Sequence, residues 1–147
     1  MGRVYTTAFI NRPVEVVFNY VTTASNWPEW HLSSMGVNAV KGKSLEIGDR
    51  VTEDFCVAGK RGRVIWTAID RRAPSYWVIR GEVEGGGGGT ITYNLTPEGK
   101  GTKFEREFVY KMPNAFLDII DFLFIESRIK KESSKAVSKL KQVLESR

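Results

Sequence analysis

The sequence predicts an α+β fold, in which a curved antiparallel sheet of about seven strands wraps around a long C-terminal helix. Between about residues 37 and 112, short stretches with a period of two alternate with glycine-containing turns, which is typical of an antiparallel meander. After this region, apolar residues recur every three to four positions and lysines occupy the opposite side, as in an amphipathic helix. Two short helical stretches precede the meander.

The N-terminal part of the chain predicts one strand followed by two short helices. Residues 3–11 contain β-branched and aromatic side chains typical of a strand. Asn11 is predicted to cap the next helix, and Pro13 suits its first turn, where a missing N–H costs nothing. Apolar spacing extends this helix to about Val21. Ser25 is predicted to cap a second helical turn that contains two tryptophans.

The meander supplies the remaining strands. Its strands are spaced about 10–14 residues apart and are joined by glycine turns. No internal repeat or linker divides the sequence, so we expect one domain over residues 1–147. The predicted strands lie at about residues 37–40, 50–57, 63–70, 76–83, 90–96 and 103–112.

The C-terminal helix has one apolar stripe, centred on Ile129, and one basic back. A sheet that curls around such a helix leaves a cavity between them. Ser133 lies near the centre of the stripe, where a small polar residue suits a wall that faces ligand or water. Phe116 lies off the stripe, so we expect a break or a separate short turn before about Phe124, with Phe116–Leu123 packed at the cavity mouth. The other stripe residues are Phe122, Ile125, Ala136, Leu140 and Val143, with Val137 and Leu144 at one edge.

The charge and the cysteine content narrow the function classes. The net charge is +5, but residues 126–147 contain seven lysines and arginines against three glutamates, a net +4. This charge lies on one solvated helix back without a nucleic-acid-binding motif, so we expect no nucleic acid partner. The single Cys56 excludes an internal disulfide and a multi-cysteine metal site, and no metal or cofactor is predicted.

No apolar run has the length of a membrane span, and the N-terminus lacks an apolar signal core. We therefore expect a cytoplasmic protein with no integral membrane segment. A homodimer is also compatible with the sequence.

Several weak motifs become specific when they are taken together in their order along the chain. They are residues 10–18 (INRPVEVVF), 26–31 (NWPEWH), 48–51 (GDRV) and 101–104 (GTKF), with Trp66 and the closing Ala136, Leu140 and Leu144. Through them the chain resembles the START-like helix-grip superfamily, also called SRPBCC, over nearly its whole length. Within the superfamily it is most similar to the polyketide cyclase/dehydrase and lipid-transport family.

This resemblance implies a hydrophobic cavity but no single activity, because the superfamily includes ligand carriers, hormone receptors, aromatic cyclases, ubiquinone-binding proteins and Hsp90 activators. The glycine run at 85–89 departs from the early glycine-rich loop of the pollen-allergen relatives. It is not a P-loop either, because no Gly-Lys-Ser/Thr follows it. We expect a flexible hairpin or a cavity lip there.

His31 and Arg106 are the candidate catalytic residues. His31 is the only histidine and would titrate near neutral pH as a general acid or base, although a helix cap or a surface group is the alternative. By alternation, Arg106 shares a face with Phe108 and Tyr110. If that face is concave, Arg106 needs an anion, which could be Glu53 or a carbonyl or phenolate of a ligand. A structural ion pair is the alternative.

The candidate ligand-binding residues are mostly aromatic. Trp66 and Tyr93 lie at mid-strand positions, although Ile65 and Ile69 compete with Trp66 for the inward face. Aromatic residues also dominate ordinary cores, which is the alternative for each of them. The full candidate set is Trp30, Glu53, Trp66, Tyr93, Arg106, Phe108, Tyr110, Phe116, Ile129 and Ser133.

The leading hypothesis from the sequence is therefore the binding of a small hydrophobic molecule, lipid-like, aromatic or polyketide-like, between sheet and helix. One alternative is a polyketide cyclase or dehydratase in which His31 or Arg106 handles protons or enolate charge. The other is a protein-interaction module that resembles the Hsp90 activators.

Overall fold

The computed structural model describes residues 2–111 and 119–147, with side chains of the last helix described from residue 123 onward. It confirms the α+β helix-grip architecture, because seven antiparallel strands in the order β1-β7-β6-β5-β4-β3-β2 curl around one long helix. The strands are β1 Gly2–Ile10, β2 Ser34–Asn38, β3 Arg50–Val57, β4 Lys60–Arg72, β5 Tyr76–Val83, β6 Gly88–Glu98 and β7 Gly101–Lys111, and the helices are α1 Val14–Val21, α2 Trp27–Trp30 and α3 Ile119–Glu145.

The register of the sheet aligns the inward-facing side chains in rows across neighbouring strands. Arg106 on β7 pairs with Thr6 on β1 and with Tyr93 on β6. Tyr93 pairs in turn with Trp77 on β5. Because side chains alternate along a strand, these four residues share the face that looks toward α3. The buried Arg106 therefore lies in a row of otherwise neutral side chains.

Both helix caps differ from the sequence prediction. Pro13, in an extended conformation, occupies the N-cap position of α1 and makes no side-chain cap hydrogen bond. The backbone N–H of Asn11 instead donates to Glu145 Oε2 at 2.8 Å, which ties the start of the chain to the end of α3. Ser25 does not cap α2 either, since its Oγ accepts the backbone N–H of Gly42 at 2.9 Å. Long-range partners have replaced the local caps.

Several strands extend further than the pattern predicts. The turn between β3 and β4 consists of Ala58 and Gly59, both with positive φ (52° and 79°). A two-residue turn of this kind keeps both strands paired up to the turn, so β4 begins at Lys60 rather than near residue 63. The strand predicted at 37–40 begins and ends earlier, as β2, with a register shift between Ser34 and Gly36.

Helix α3 buries most of the predicted apolar stripe, but its buried face is rotated toward the edge that Val137 and Leu144 form. Val137 and Leu144, the predicted edge residues, are buried, whereas Val143 is only partly buried. The helix is continuous from Ile119, so the expected break does not occur between Ile119 and Phe124, and the earlier part of that stretch lies outside the described residues. Leu123, expected at the cavity mouth, is 63% exposed, and Phe124 is 57% exposed. Isolated exposed apolar side chains are common, and an unbroken helix keeps its backbone hydrogen bonds. Phe116 lies outside the described residues.

Candidate functional site

A cavity lies between the concave face of the sheet and helix α3. Its empty volume is about 1040 Å³, which includes the space at its open side. Most of the lining side chains are apolar or aromatic, and Arg106, Glu53 and Glu132 are among the few charged ones. The cavity runs along β7 from Arg106 to Lys111, a distance of about 17 Å at the rise of a strand. A mostly apolar lining with a few charged groups is typical of small-molecule sites.

Arg106 lies on the cavity wall and is only 2% exposed. Its Nη2 lies 3.0 Å from His31 Nε2, and its Nη1 donates to Ser133 Oγ at 3.3 Å. Its Nε finds no acceptor within the described residues, and none of their ion pairs includes it. Burial lowers the pKa of Arg106, while interactions with Tyr93 and Glu53 raise it. A guanidinium stays protonated in proteins, so the wall carries a positive charge.

His31 holds Arg106 from one side, and the contact fixes the tautomer of the imidazole. Because the guanidinium can only donate, His31 Nε2 must accept, and the proton then sits on Nδ1. Nδ1 lies 2.8 Å from Ser33 Oγ and donates to it. Burial of the ring, and then the charge of Arg106, lowers the pKa of His31 to about 3. His31 is therefore neutral at physiological pH, and its only lone pair is already used.

Glu53 faces the same cavity, but its direct partner is not Arg106. Its Oε1 accepts the indole N–H of Trp66 at 3.0 Å. Burial raises the pKa of Glu53, and the Trp66 hydrogen bond and the more distant charge of Arg106 oppose this shift. The sequence predicted Glu53 as a possible anionic partner of Arg106, whereas in the structure this carboxylate accepts a hydrogen bond from Trp66.

Trp66 lies flat over a neighbouring strand because a glycine leaves room for its ring. A Cβ on Gly81 would come within 2.5 Å of the Trp66 ring. Trp66 is buried on the inward face, whereas Ile69, which competed with it in the sequence, is 39% exposed on the other face. Gly89 makes the same kind of space for Phe108, whose ring would lie 2.7 Å from an added Cβ. Glycines on β5 and β6 thus decide where two aromatic walls lie.

The other predicted residues divide into three groups. Tyr93, Phe108, Tyr110, Ile129 and Ser133 all line the cavity. Trp30 is fully buried and lies behind His31, with ring centroids 5.5 Å apart, rather than on the wall. Phe116 is outside the described residues. The structure therefore brings most of the predicted set together around Arg106, and their roles as ligand contacts stay predictions.

Tyr93 anchors the inner end of this cavity. It stacks on Trp77 with ring centroids 5.2 Å apart and packs against Phe104 at 5.1 Å. Burial raises the pKa of Tyr93 to about 12, although the nearby charge of Arg106 opposes the shift. Tyr93 is therefore an uncharged, rigid neighbour of Arg106.

Sequence reasoning missed several wall residues for which a signal existed. Phe55 is two residues from Glu53, and Ile91 is two residues from Tyr93, so strand alternation places each pair on one face. Glu132 and Trp27 had no such signal, because their places on the wall depend on how helices meet the sheet. The missed wall residues include Trp27, Phe55, Ile79, Ile91, Lys111 and Glu132.

Within residues 2–111 and 123–147, no three His, Cys, Asp or Glu side chains come together as a metal site. In the same ranges, no helix combines the length and the apolar character that a membrane span requires.

A family model described as polyketide cyclase / dehydrase and lipid transport matches residues 1–145 of this chain. No curated protein sequence matches this chain. The match to the family model extends over the whole sheet and helix α3, in agreement with the resemblance that the sequence motifs indicate.

Solved structures share the fold at low sequence identity. TTHA0849 from Thermus thermophilus has a TM-score of 0.76 and 15% identity, over 97% of each chain. MLL2253 from Mesorhizobium loti has a TM-score of 0.74 and 17% identity, over 99% of this chain and 98% of that one. DynU16, from the dynemicin biosynthetic locus, has a TM-score of 0.68 and 16% identity. This match covers 97% of our chain and 47% of DynU16, so our chain spans about half of that relative.

Proposed function

Since the chain belongs to the polyketide cyclase / dehydrase and lipid transport family, we propose that it binds a small hydrophobic molecule between the concave sheet face and helix α3. The observation that carries this proposal is the mostly apolar cavity with one buried arginine on its wall, which forms no ion pair among the described residues. Apolar walls supply affinity, and a few placed polar groups orient the ligand.

The walls would hold the ligand by different means at the two sides of the cavity. On the sheet side, Trp66 and Phe108 present aromatic faces that are fixed by the glycines beneath them. On the helix side, Ile129 and Ile125 present aliphatic surface. Arg106 would bind the polar group of the ligand, since its Nε N–H has no other acceptor among the described residues.

A fluorescence titration with the neutral dye N-phenyl-1-naphthylamine tests this proposal on the full chain. We expect saturable emission enhancement in the wild type. Ile129→Trp, which fills the cavity from α3, should weaken binding by at least about tenfold. Lys139→Trp adds the same side chain on the exposed back of α3 and is the matched control. Absent binding, or equal binding by both variants once circular dichroism has shown that they fold, would refute the proposal.

A second candidate function is catalysis of a polyketide cyclase or dehydratase reaction. The geometry of Arg106 favours this reaction over other enzymatic reactions. A fixed guanidinium in an apolar site can stabilise an enolate as charge develops. His31 could act as a base only after Arg106 releases its Nε2. Turnover of a polyketide-like substrate that is lost in Arg106→Met but kept in Lys139→Met would establish this role. Turnover that persists in Arg106→Met would exclude it.

The proposal also includes the domain organisation, the cellular location and the partners of the protein. We propose that residues 1–147 act as one ligand-binding domain in the cytoplasm, without a nucleic acid partner. The free, half-exposed Cys56 supports a reducing compartment. Cell fractionation tests the location, and analytical ultracentrifugation distinguishes a monomer from the homodimer that the sequence allows.

A further inference from the structure

We propose that the ligand is an amphipathic anion whose acidic group, a carboxylate, a sulfonate or a phenolate, binds Arg106 while its apolar part extends along β7 toward Lys111. This inference rests on the proposed function and specifies the class of molecule that the cavity binds.

The first support is a buried positive charge that forms no ion pair within the described residues. Among the described residues, the hydrogen-bond partners of Arg106 are the neutral His31 and the hydroxyl of Ser133, with neutral Tyr93 beside them. The Phe108 ring centroid lies 5.5 Å from the guanidinium carbon, a cation–π contact that compensates the charge only in part. Within the described residues, no carboxylate forms an ion pair with Arg106. Removing a guanidinium from water is costly unless an anion compensates it. An anionic ligand would supply that compensation.

The second support is that two hydrogen-bond donors on the cavity wall, Arg106 Nε and the Ser133 hydroxyl, have no acceptor among the described residues. The Nε of Arg106 is buried and has no acceptor in the described chain. Ser133 Oγ accepts from Nη1, so its own hydroxyl hydrogen is free to be donated elsewhere. An anion held by both groups would gain charge-assisted hydrogen bonds, which are stronger than neutral ones. A neutral carbonyl would use the same donors but would leave the charge uncompensated.

The third support concerns the acidic groups that line the same cavity as Arg106 from other elements. Glu53 on β3 is turned to the Trp66 indole, and Glu132 on α3 lies 3.7 Å from Arg128. When Glu53 is ionised, it is the distant counter-charge of Arg106 and competes with an anionic ligand. Removing the charge of Glu53 should therefore strengthen the binding of an anion, and removing Arg106 should weaken it.

The proposed orientation of the ligand follows from which end of the cavity is filled by packed side chains. Beyond Arg106, Tyr93 stacks on Trp77 and packs at a tilt against Phe104, so aromatic rings close that side. In the other direction, the wall continues through Phe108 and Tyr110 to Lys111. This stretch of wall, about 17 Å of β7 at the rise of a strand, suits the apolar part of the ligand.

Two dyes of matched shape test the inference on the full chain. 1-Anilinonaphthalene-8-sulfonate has the rings of N-phenyl-1-naphthylamine and an added sulfonate, which stays ionised at all working pH values. We would measure the dissociation constants of both dyes by fluorescence for the wild type and for three variants. The variants are Arg106→Met, Glu53→Gln and the control Lys139→Met, which removes an exposed charge from the back of α3.

We expect the wild type to prefer the sulfonate dye. Arg106→Met should lower the ratio of the two affinities by about 10- to 100-fold, the value of hydrogen bonds to a charged group. Glu53→Gln should raise this ratio, and Lys139→Met should leave it unchanged. If Arg106→Met does not fold, the change of the ratio in Glu53→Gln decides the question alone.

Two outcomes would overturn the inference in distinguishable ways. If both dyes bind and the ratio is the same in the wild type, Arg106→Met and Glu53→Gln, the cavity binds hydrophobic molecules but does not select anions. If neither dye binds to the wild type, the proposed function itself fails, and this inference fails with it.

Discussion

Lowering the pH should destabilise this protein through His31. Its pKa in the folded chain is lowered to about 3, because the ring is buried and lies next to Arg106. The unfolded chain takes up a proton near pH 6.5, whereas the folded chain does not. The unfolded state therefore binds more protons between these values, and stability falls as the pH falls. Integrated from pH 7 to pH 5, His31 alone should remove about 2 kcal/mol from the unfolding free energy.

The variant His31→Gln separates the contribution of His31 to the pH dependence of the unfolding free energy from the contributions of the carboxylates. The glutamine amide oxygen can still accept the guanidinium N–H of Arg106, but it does not titrate. Urea unfolding of both proteins at pH 7 and pH 5 gives the difference in their unfolding free energies at each pH. We expect this difference to shift against the wild type by about 2 kcal/mol at the lower pH. A shift below about 0.5 kcal/mol would mean that the imidazole is solvated and does not contact Arg106 as described.

Three further changes test the packing around the cavity. Arg106→Met should stay within about 1 kcal/mol of the wild type in urea unfolding, because lost hydrogen bonds offset the relieved desolvation; a loss of about 3–5 kcal/mol would reveal a true ion pair. Gly81→Ala should cost about 1–3 kcal/mol and shift the emission of Trp66, whose ring it displaces; an unchanged spectrum would contradict this. Leu140→Ala should cost about 2–5 kcal/mol by the same assay, whereas Lys139→Ala on the exposed back should change stability by less than about 0.5 kcal/mol.

The fold could be predicted from local patterns because its elements are long and regular. The two-residue period along β5 predicted its bounds, Tyr76–Val83, without error. The apolar spacing of α3 predicted the buried Ile125, Ala136 and Leu140. Element ends were less accurate, since Asn11 and Ser25 are engaged by residues far along the chain and not by the helices that follow them.

The candidate site was only partly predictable, because its chemistry depends on contacts between distant residues. Alternation placed Arg106 with Phe108 and Tyr110, but it could not decide which face is concave. The contact of Arg106 with His31 joins residues 75 positions apart, and nothing in the local sequence indicates it. The choice of Trp66 as the partner of Glu53 likewise depends on the β3–β4 register.

The most direct test of ligand binding in this cavity is a crystal structure of the full chain with 1-anilinonaphthalene-8-sulfonate. We predict the naphthalene ring between Trp66, Phe108 and Ile129, with the sulfonate within hydrogen-bond distance of Arg106. Dye bound only outside the cavity, with the space between the sheet and α3 closed by side chains, would contradict the proposed function.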